Sequence, residues 1–166
     1  VLGDDVADQP LFTPGTGDKT LCLVVSSDRG LCGAYNANLF RKLEAWRSEH
    51  PREIDYFVYG RKAAQYMSKR GFNVEKFITE PALEQMDYRN AAITARMLKQ
   101  EFEGGQYKDV VILYSAFESM AKYVPTVLPF LPVSGEGLGD ADADAAGDVL
   151  LEPDPVTIFE QLVPRY

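Results

Sequence analysis

Ser26, Ser27, Asp28, Arg29 and Cys32 share one short stretch, SSDRGLCGAYNANLF at residues 26–40, directly after the apolar run LCLVV. These residue types could supply a nucleophile, a carboxylate and a cation. A serine or cysteine nucleophile needs a base within hydrogen-bond reach. The only histidine, His50, is expected at the far end of the following helix, about 20 Å away at 1.5 Å per residue. Cys32 therefore has no evident activation. Ser26 and Ser27 lack the G-x-S-x-G setting of a nucleophile elbow. A dinucleotide site needs G-x-G-x-x-G, and only Gly30 and Gly33 are present. Backbone amides at a helix N-terminus could still hold an anion. The competing reading is a shaped turn, in which Gly30 and Gly33 supply permissive dihedrals and Asp28 satisfies loop amides. His50, next to Pro51, is expected to be a plain surface residue.

Other motifs fail on spacing. GTGDKT (15–20) places Asp18 where a phosphate loop needs Gly and Lys adjacent, and a strand follows where a helix should. DADAD (140–144) has Ala145 and Leu151 where a calcium loop needs Gly and Glu. Cys22 and Cys32 do not form a C-x-x-C pair, and two cysteines build no disulfide framework. Neither a metal nor a cofactor is expected, and the cysteine usage fits reducing conditions.

The elements that must position the loop can be read along the chain. Residues 20–26 (TLCLVVS) read as a buried strand. A helix is expected over 36–49, with Leu39, Leu43 and Trp46 on one face, stopped by Pro51. IDYFVY (54–59) reads as a second strand. A helix from Gly60 to Arg70 should turn Ala63, Ala64 and Met67 inward, with Gly71 as its C-terminal cap. FNVEKFI (72–78) is a third, more polar strand near an edge. Residues 87–103 form a helix with Ala91, Ala95, Leu98 and Phe102 aligned. VVILYS (110–115) is a fourth strand.

Strands and helices thus alternate, which implies α/β architecture with right-handed crossovers and a mostly parallel sheet. Only a short connection separates the fourth strand from YVPTVLPF (123–130), so a fifth strand should run antiparallel. Pro125 and Pro129 suit an edge. The expected fold is three-layer α/β/α, Rossmann-like, with five strands. Residues 1–19 read as a polar linker, 20–133 as the globular domain and 134–148 as an acidic surface loop. Residues 149–166 read as a return segment that opens a helix with Val156, Phe159 and Val163 on one stripe.

The 166 residues suffice for one domain with its own core. The net charge of −8 sits at the ends. Residues 1–18 hold four acids and no base, and residues 135–164 hold eight acids and no base. Residues 19–134 keep 13 acids against 16 bases, too mild an excess for a nucleic-acid binder. No apolar run approaches the roughly 20 residues of a membrane helix, and no signal peptide is expected from VLGDDVADQP.

The exact strings say more than their residue types. SSDRGLCG followed by N-x-N-L-F resembles the gamma subunit of F-type ATP synthases, the rotor's central stalk. VPTVLPFLP (124–132) and LLEPDP with a helix start and RY (150–166) are similar to later parts of that family, in order. The resemblance implies a non-catalytic rotor component that couples proton-driven rotation to ATP synthesis made elsewhere. It implies an α/β foot domain that binds the epsilon subunit and the c-ring. Contact with the alpha/beta catalytic hexamer runs mainly through two long coiled-coil helices that this chain does not match. By position, Asp28, Arg29, Gly30, Leu31, Cys32 and Gly33 lie near the base of the catalytic beta subunits. Leu150, Leu151, Glu152 and Pro153 lie near the ring and epsilon. The implied place is the cytoplasmic face of the bacterial inner membrane, peripheral and without insertion. The alternative from residue types alone is a small-molecule or nucleotide-binding module using the loop after the first strand.

Overall fold

The computed structural model describes residues 13–28, 34–79, 87–119 and 122–132. Arg29–Gly33, the acidic stretch 134–148 and the segment with Leu150–Pro153 lie outside the described residues. The elements run in the order β1 (Lys19–Val25), α1 (Tyr35–Glu49), β2 (Ile54–Tyr59), α2 (Arg61–Ser68), β3 (Val74–Ile78), α3 (Tyr88–Glu103), β4 (Tyr107–Ser119) and β5 (Lys122–Leu131). They build one five-stranded sheet ordered β3-β2-β1-β4-β5. β1 pairs in parallel with β2 and β4, β2 with β3, and β5 closes the far edge antiparallel to β4.

The central strands explain their own sequences. A parallel strand covered on both faces must be apolar at successive positions, not alternate ones. Leu21 to Val25 are all buried, and so are Val110 to Tyr114. Odd and even positions feed separate cores. Leu21, Leu23, Phe57, Tyr59, Val110 and Ile112 pack with Ala91, Leu98 and Phe102 of α3. Cys22, Val24, Tyr56, Val58 and Val111 pack with Leu39 and Leu43 of α1 and with Ala63 and Met67 of α2. The layers are therefore α3, sheet, and α1 with α2. Burial drives the Cys22 thiol pKa well up, so that side chain is core and not a nucleophile.

The helix ends follow local chemistry. Asp87 caps α3 by accepting from the Asn90 amide at 2.8 Å, which satisfies one orphan donor. Beyond α2, Gly71 takes φ 75°, the left-handed turn that a side chain would resist.

Several boundaries differ from expectation. α2 stops at Ser68, not Arg70, and β3 starts at Val74, not residue 72. The largest change is β4 and β5. They extend past the expected 110–115 and 123–130, leaving two residues between them. β1 pairs with β4 only to Val24↔Leu113, yet β4 and β5 stay paired from Tyr114↔Thr126 to Ser119↔Lys122. The pair thus projects beyond the parallel sheet as a two-stranded ribbon. Such ribbons need packing to persist. Tyr123 supplies it, edge-on to Phe117 at 5.6 Å and to Tyr35 of α1 at 4.9 Å.

Candidate functional site

An open α/β sheet binds ligands at the carboxyl ends of its strands, where strand order reverses. Here that place lies between β1 and β4, and β1 runs out into Ser26, Ser27 and Asp28. Across from them stands the N-terminus of α2, whose free amides could hold an anion. The protein's own chain occupies those amides. Arg61 N donates to Asp28 Oδ1 at 2.9 Å. Lys62 N donates to the Ser27 carbonyl at 3.1 Å. Ala63 N donates to Ser26 Oγ at 2.8 Å.

Close approach makes this possible. Gly60, with φ 118°, lies against Ser26, and a Cβ there would collide with the Ser26 hydroxyl and carbonyl. Ser26 and Ser27 are fully buried. The Ser26 hydroxyl donates to the Ser27 carbonyl at 3.0 Å. Ser27 is held from the other side by Asn36, whose Oδ1 accepts from Ser27 N at 3.3 Å and whose Nδ2 donates to Ser27 Oγ at 2.8 Å. Asp28 reaches the first amide of α2, because the crossover brings that helix start beside the end of β1.

His50 corrects an expectation. It is not a plain surface side chain. Its ring lies 4.7 Å from Trp46, and its Nε2 is 2.7 Å from Thr20 Oγ1. Thr20, fully buried, donates to Asp109 Oδ1 at 2.6 Å and accepts from Arg52 Nε at 3.2 Å. A hydroxyl has one proton, and the Asp109 carboxylate takes it, so His50 Nε2 must donate. Arg52 completes the ring to Asp109 Oδ2 at 2.6 Å. Burial lowers the His50 pKa first, then Arg52, while Asp109 opposes.

On the opposite face of the sheet, Asp55 is 2% exposed. It accepts from Asn73 Nδ2 at 2.7 Å and Tyr107 OH at 2.9 Å, with Lys19 Nζ at 3.5 Å. The Tyr107 hydroxyl pKa is pushed up by burial and by its bond to Asp55. Both clusters pin the amino ends of β1, β2 and β4. No sequence motif announces them, since the bonded partners lie 18 to 89 residues apart.

Among the described residues, no group of three or more His, Cys, Asp or Glu could hold a metal ion. Among them also, no helix is long and apolar enough to cross a membrane. The described depression near β2 holds about 260 Å³ and is lined by Arg47, Arg52, Tyr56, Phe72 and Asn73, among others. It lies at the amino end of the strands, away from Ser26–Asp28. Of the sequence-expected site residues, only Asp28 is placed.

Comparison with known proteins gives this scaffold its relatives. A family model described as ATP synthase matches residues 2–166. The ATP synthase gamma chain of Syntrophobacter fumaroxidans is 32% identical over 167 residues, covering 98% of this chain and 57% of that one. The gamma chain of Geotalea uraniireducens is 30% identical over 165 residues, covering 98% and 56%. The chain therefore spans little more than half the length of these curated relatives. In fold, it is similar to a chain of the Tetrahymena thermophila mitochondrial ATP synthase central stalk and c-ring. The TM-score is 0.65 at 17% identity, covering 98% of this chain and 76% of the other. A rotor chain of the Euglena gracilis mitochondrial ATP synthase gives a TM-score of 0.59 at 16% identity, covering 89% and 60%. The match along nearly the whole sequence, on a mostly parallel five-stranded sheet with an antiparallel edge strand, has one reading: this chain belongs to the ATP synthase gamma-chain family.

Proposed function

We propose that this chain is the foot domain of a central stalk, a non-catalytic rotor part of a proton-translocating ATP synthase. It couples rotation of the c-ring to ATP synthesis carried out in other subunits. Its partners are the epsilon subunit and the c-ring, through the region of Leu150–Pro153, and the base of the catalytic beta subunits, through Asp28–Gly33. Its place is the cytoplasmic face of a bacterial inner membrane, held there by partners and without insertion.

One observation carries the reading. The α2 amides at the strand-end crevice are filled by Asp28, Ser27 and Ser26 of the same chain. An anion or nucleotide would have to break those bonds to reach the α2 amides. A stalk needs the opposite of an open crevice, namely a block that does not yield. Two polar clusters, centred on the buried Thr20 and Asp55, and two apolar cores on one sheet supply that stiffness. Calorimetry of the complete gamma chain with its cognate epsilon subunit tests the proposal. Binding with measurable heat supports it, and neither heat nor affinity removes it.

A further inference from the structure

We propose that the depression at the amino end of β2 is a binding site for a small monocarboxylate, with Arg47 and Tyr56 as the donors that hold it. The inference is independent of the stalk reading.

The depression is formed by the last turn of α1, the start of β2 and the turn after α2. Its wall is mixed. Ile54, Tyr56 and Phe72 supply apolar surface, while Arg47 and Arg52 supply charge. Its volume of about 260 Å³ falls just short of the roughly 300 Å³ at which sites for drug-sized ligands begin. A ligand of a few carbons with one polar head suits that size.

Tyr56 is the residue that points to a ligand. It is 2% exposed, and its hydroxyl has no hydrogen-bond partner among the described residues. Buried polar atoms are almost always bonded, so an orphan in the wall of a depression needs a reason. Burial drives the hydroxyl pKa well up, so it keeps its proton and stands as a donor. The fold has already stripped water from it. An incoming acceptor therefore gains the bond without that desolvation cost.

Arg47 supplies the charge beside it. Its guanidinium carbon lies 4.0 Å over the Phe72 ring, and that ring meets Tyr56 edge-on at 5.1 Å. The cation–π contact holds the charge in place without consuming the guanidinium's in-plane donors. The Glu44 carboxylate is 3.8 Å away, beyond hydrogen-bond reach. Arg52 is bound to Asp109 at 2.6 Å, which leaves Arg47 as the ligand's cation. Glu53 also lines the depression, so a doubly charged anion would meet repulsion that a single carboxylate meets less. A carboxylate matches the guanidinium fork with two oxygens and has lone pairs left for the phenol.

The test titrates the complete gamma chain, unchanged or carrying Arg47→Gln or Tyr56→Phe, while following the Ile54 methyl resonance and the melting temperature. The probes are isovalerate, the amide of N-acetylglutamate as a mimic of an acidic side chain, and inorganic phosphate. Isovalerate should shift the Ile54 resonance saturably, and each substitution should weaken that binding by about tenfold. Tyr56→Phe should leave the melting temperature of the free chain equal or higher, since the hydroxyl it removes has no partner. Saturable binding of the side-chain mimic alone would support the site and make its source an acidic residue of a partner chain. Phosphate binding as tightly as isovalerate would overturn the monocarboxylate class. A lowered melting temperature in Tyr56→Phe would show that the hydroxyl serves the fold and would overturn its role as a ligand donor. No saturable shift with any probe, or binding unmoved by either substitution, would overturn the site.

Discussion

The Asp28 carboxylate accepts from the Arg61 amide at 2.9 Å, so the end of β1 caps the start of α2, 33 residues further along the chain. This is the tertiary counterpart of an N-cap. It uses helix-start amides, the kind of donor that can hold an anion. Asp28→Ala should lower stability by about 1 kcal/mol, within the range for a lost cap. Amide exchange should quicken at Arg61 to Ala63 and not at α3, as exchange mass spectrometry would read. Uniform quickening would show that the bond has no local role.

Gly60→Ala should cost more. The residue sits at φ 118° and its Cβ would strike Ser26. Strain and collision together should remove roughly 2 kcal/mol or more. A chemical-denaturation midpoint equal to that of the unchanged chain would contradict the close approach.

Asp55→Ala should cost about 2 kcal/mol, because it leaves the buried Tyr107 hydroxyl without its acceptor and unpairs the Asn73 amide. Asp55→Asn should lose less, since one acceptor oxygen remains. Equal losses in the two variants would show that the charge, not the hydrogen bonding, matters at that site.

His50 gives the domain a pH dependence. Burial and Arg52 hold its pKa below the ordinary 6.5 in the folded chain. Between the folded value and 6.5, the unfolded chain binds more protons, so stability falls as pH falls through that window. His50→Gln should flatten the dependence there while keeping a donor for Thr20. Melting curves from neutral to mildly acid pH would measure it. A slope unchanged by the substitution would place the titration elsewhere.

Nucleotides should leave the melting temperature unchanged, because ligands that bind only the folded state raise it in proportion to occupancy. A dose-dependent rise with ATP or ADP would restore the crevice as a ligand site.

Which of these features the sequence reveals depends on range. LCLVV and VVILY are legible as central strands, since burial on both faces leaves an unbroken apolar run. Pro125 and Pro129 are legible as edge residues because a proline cannot serve an inner ladder. The ribbon is not legible. Residues 116–119, AFES, carry no strand pattern and pair only because Val124, Tyr123 and Lys122 return alongside. The Thr20–His50–Arg52–Asp109 ring is equally silent, since each member is an ordinary polar residue until the crossovers bring it to one sheet end. The string SSDRGLCG shows the opposite case. Its residue types suggest catalysis, while the hydrogen bonds of Ser26, Ser27 and Asp28 make its first three residues a fitted joint.

The central claim is that this domain transmits rotation and does no chemistry. It is tested most directly in reconstituted ATP synthase whose complete gamma chain carries Arg29→Glu with Leu150→Asp and Leu151→Asp, by measuring ATP hydrolysis and ATP-driven proton pumping together. The account predicts that hydrolysis persists while pumping per ATP falls severalfold. Full pumping by that variant would contradict the coupling role, and loss of hydrolysis by the isolated catalytic hexamer on removing this domain would contradict its non-catalytic one.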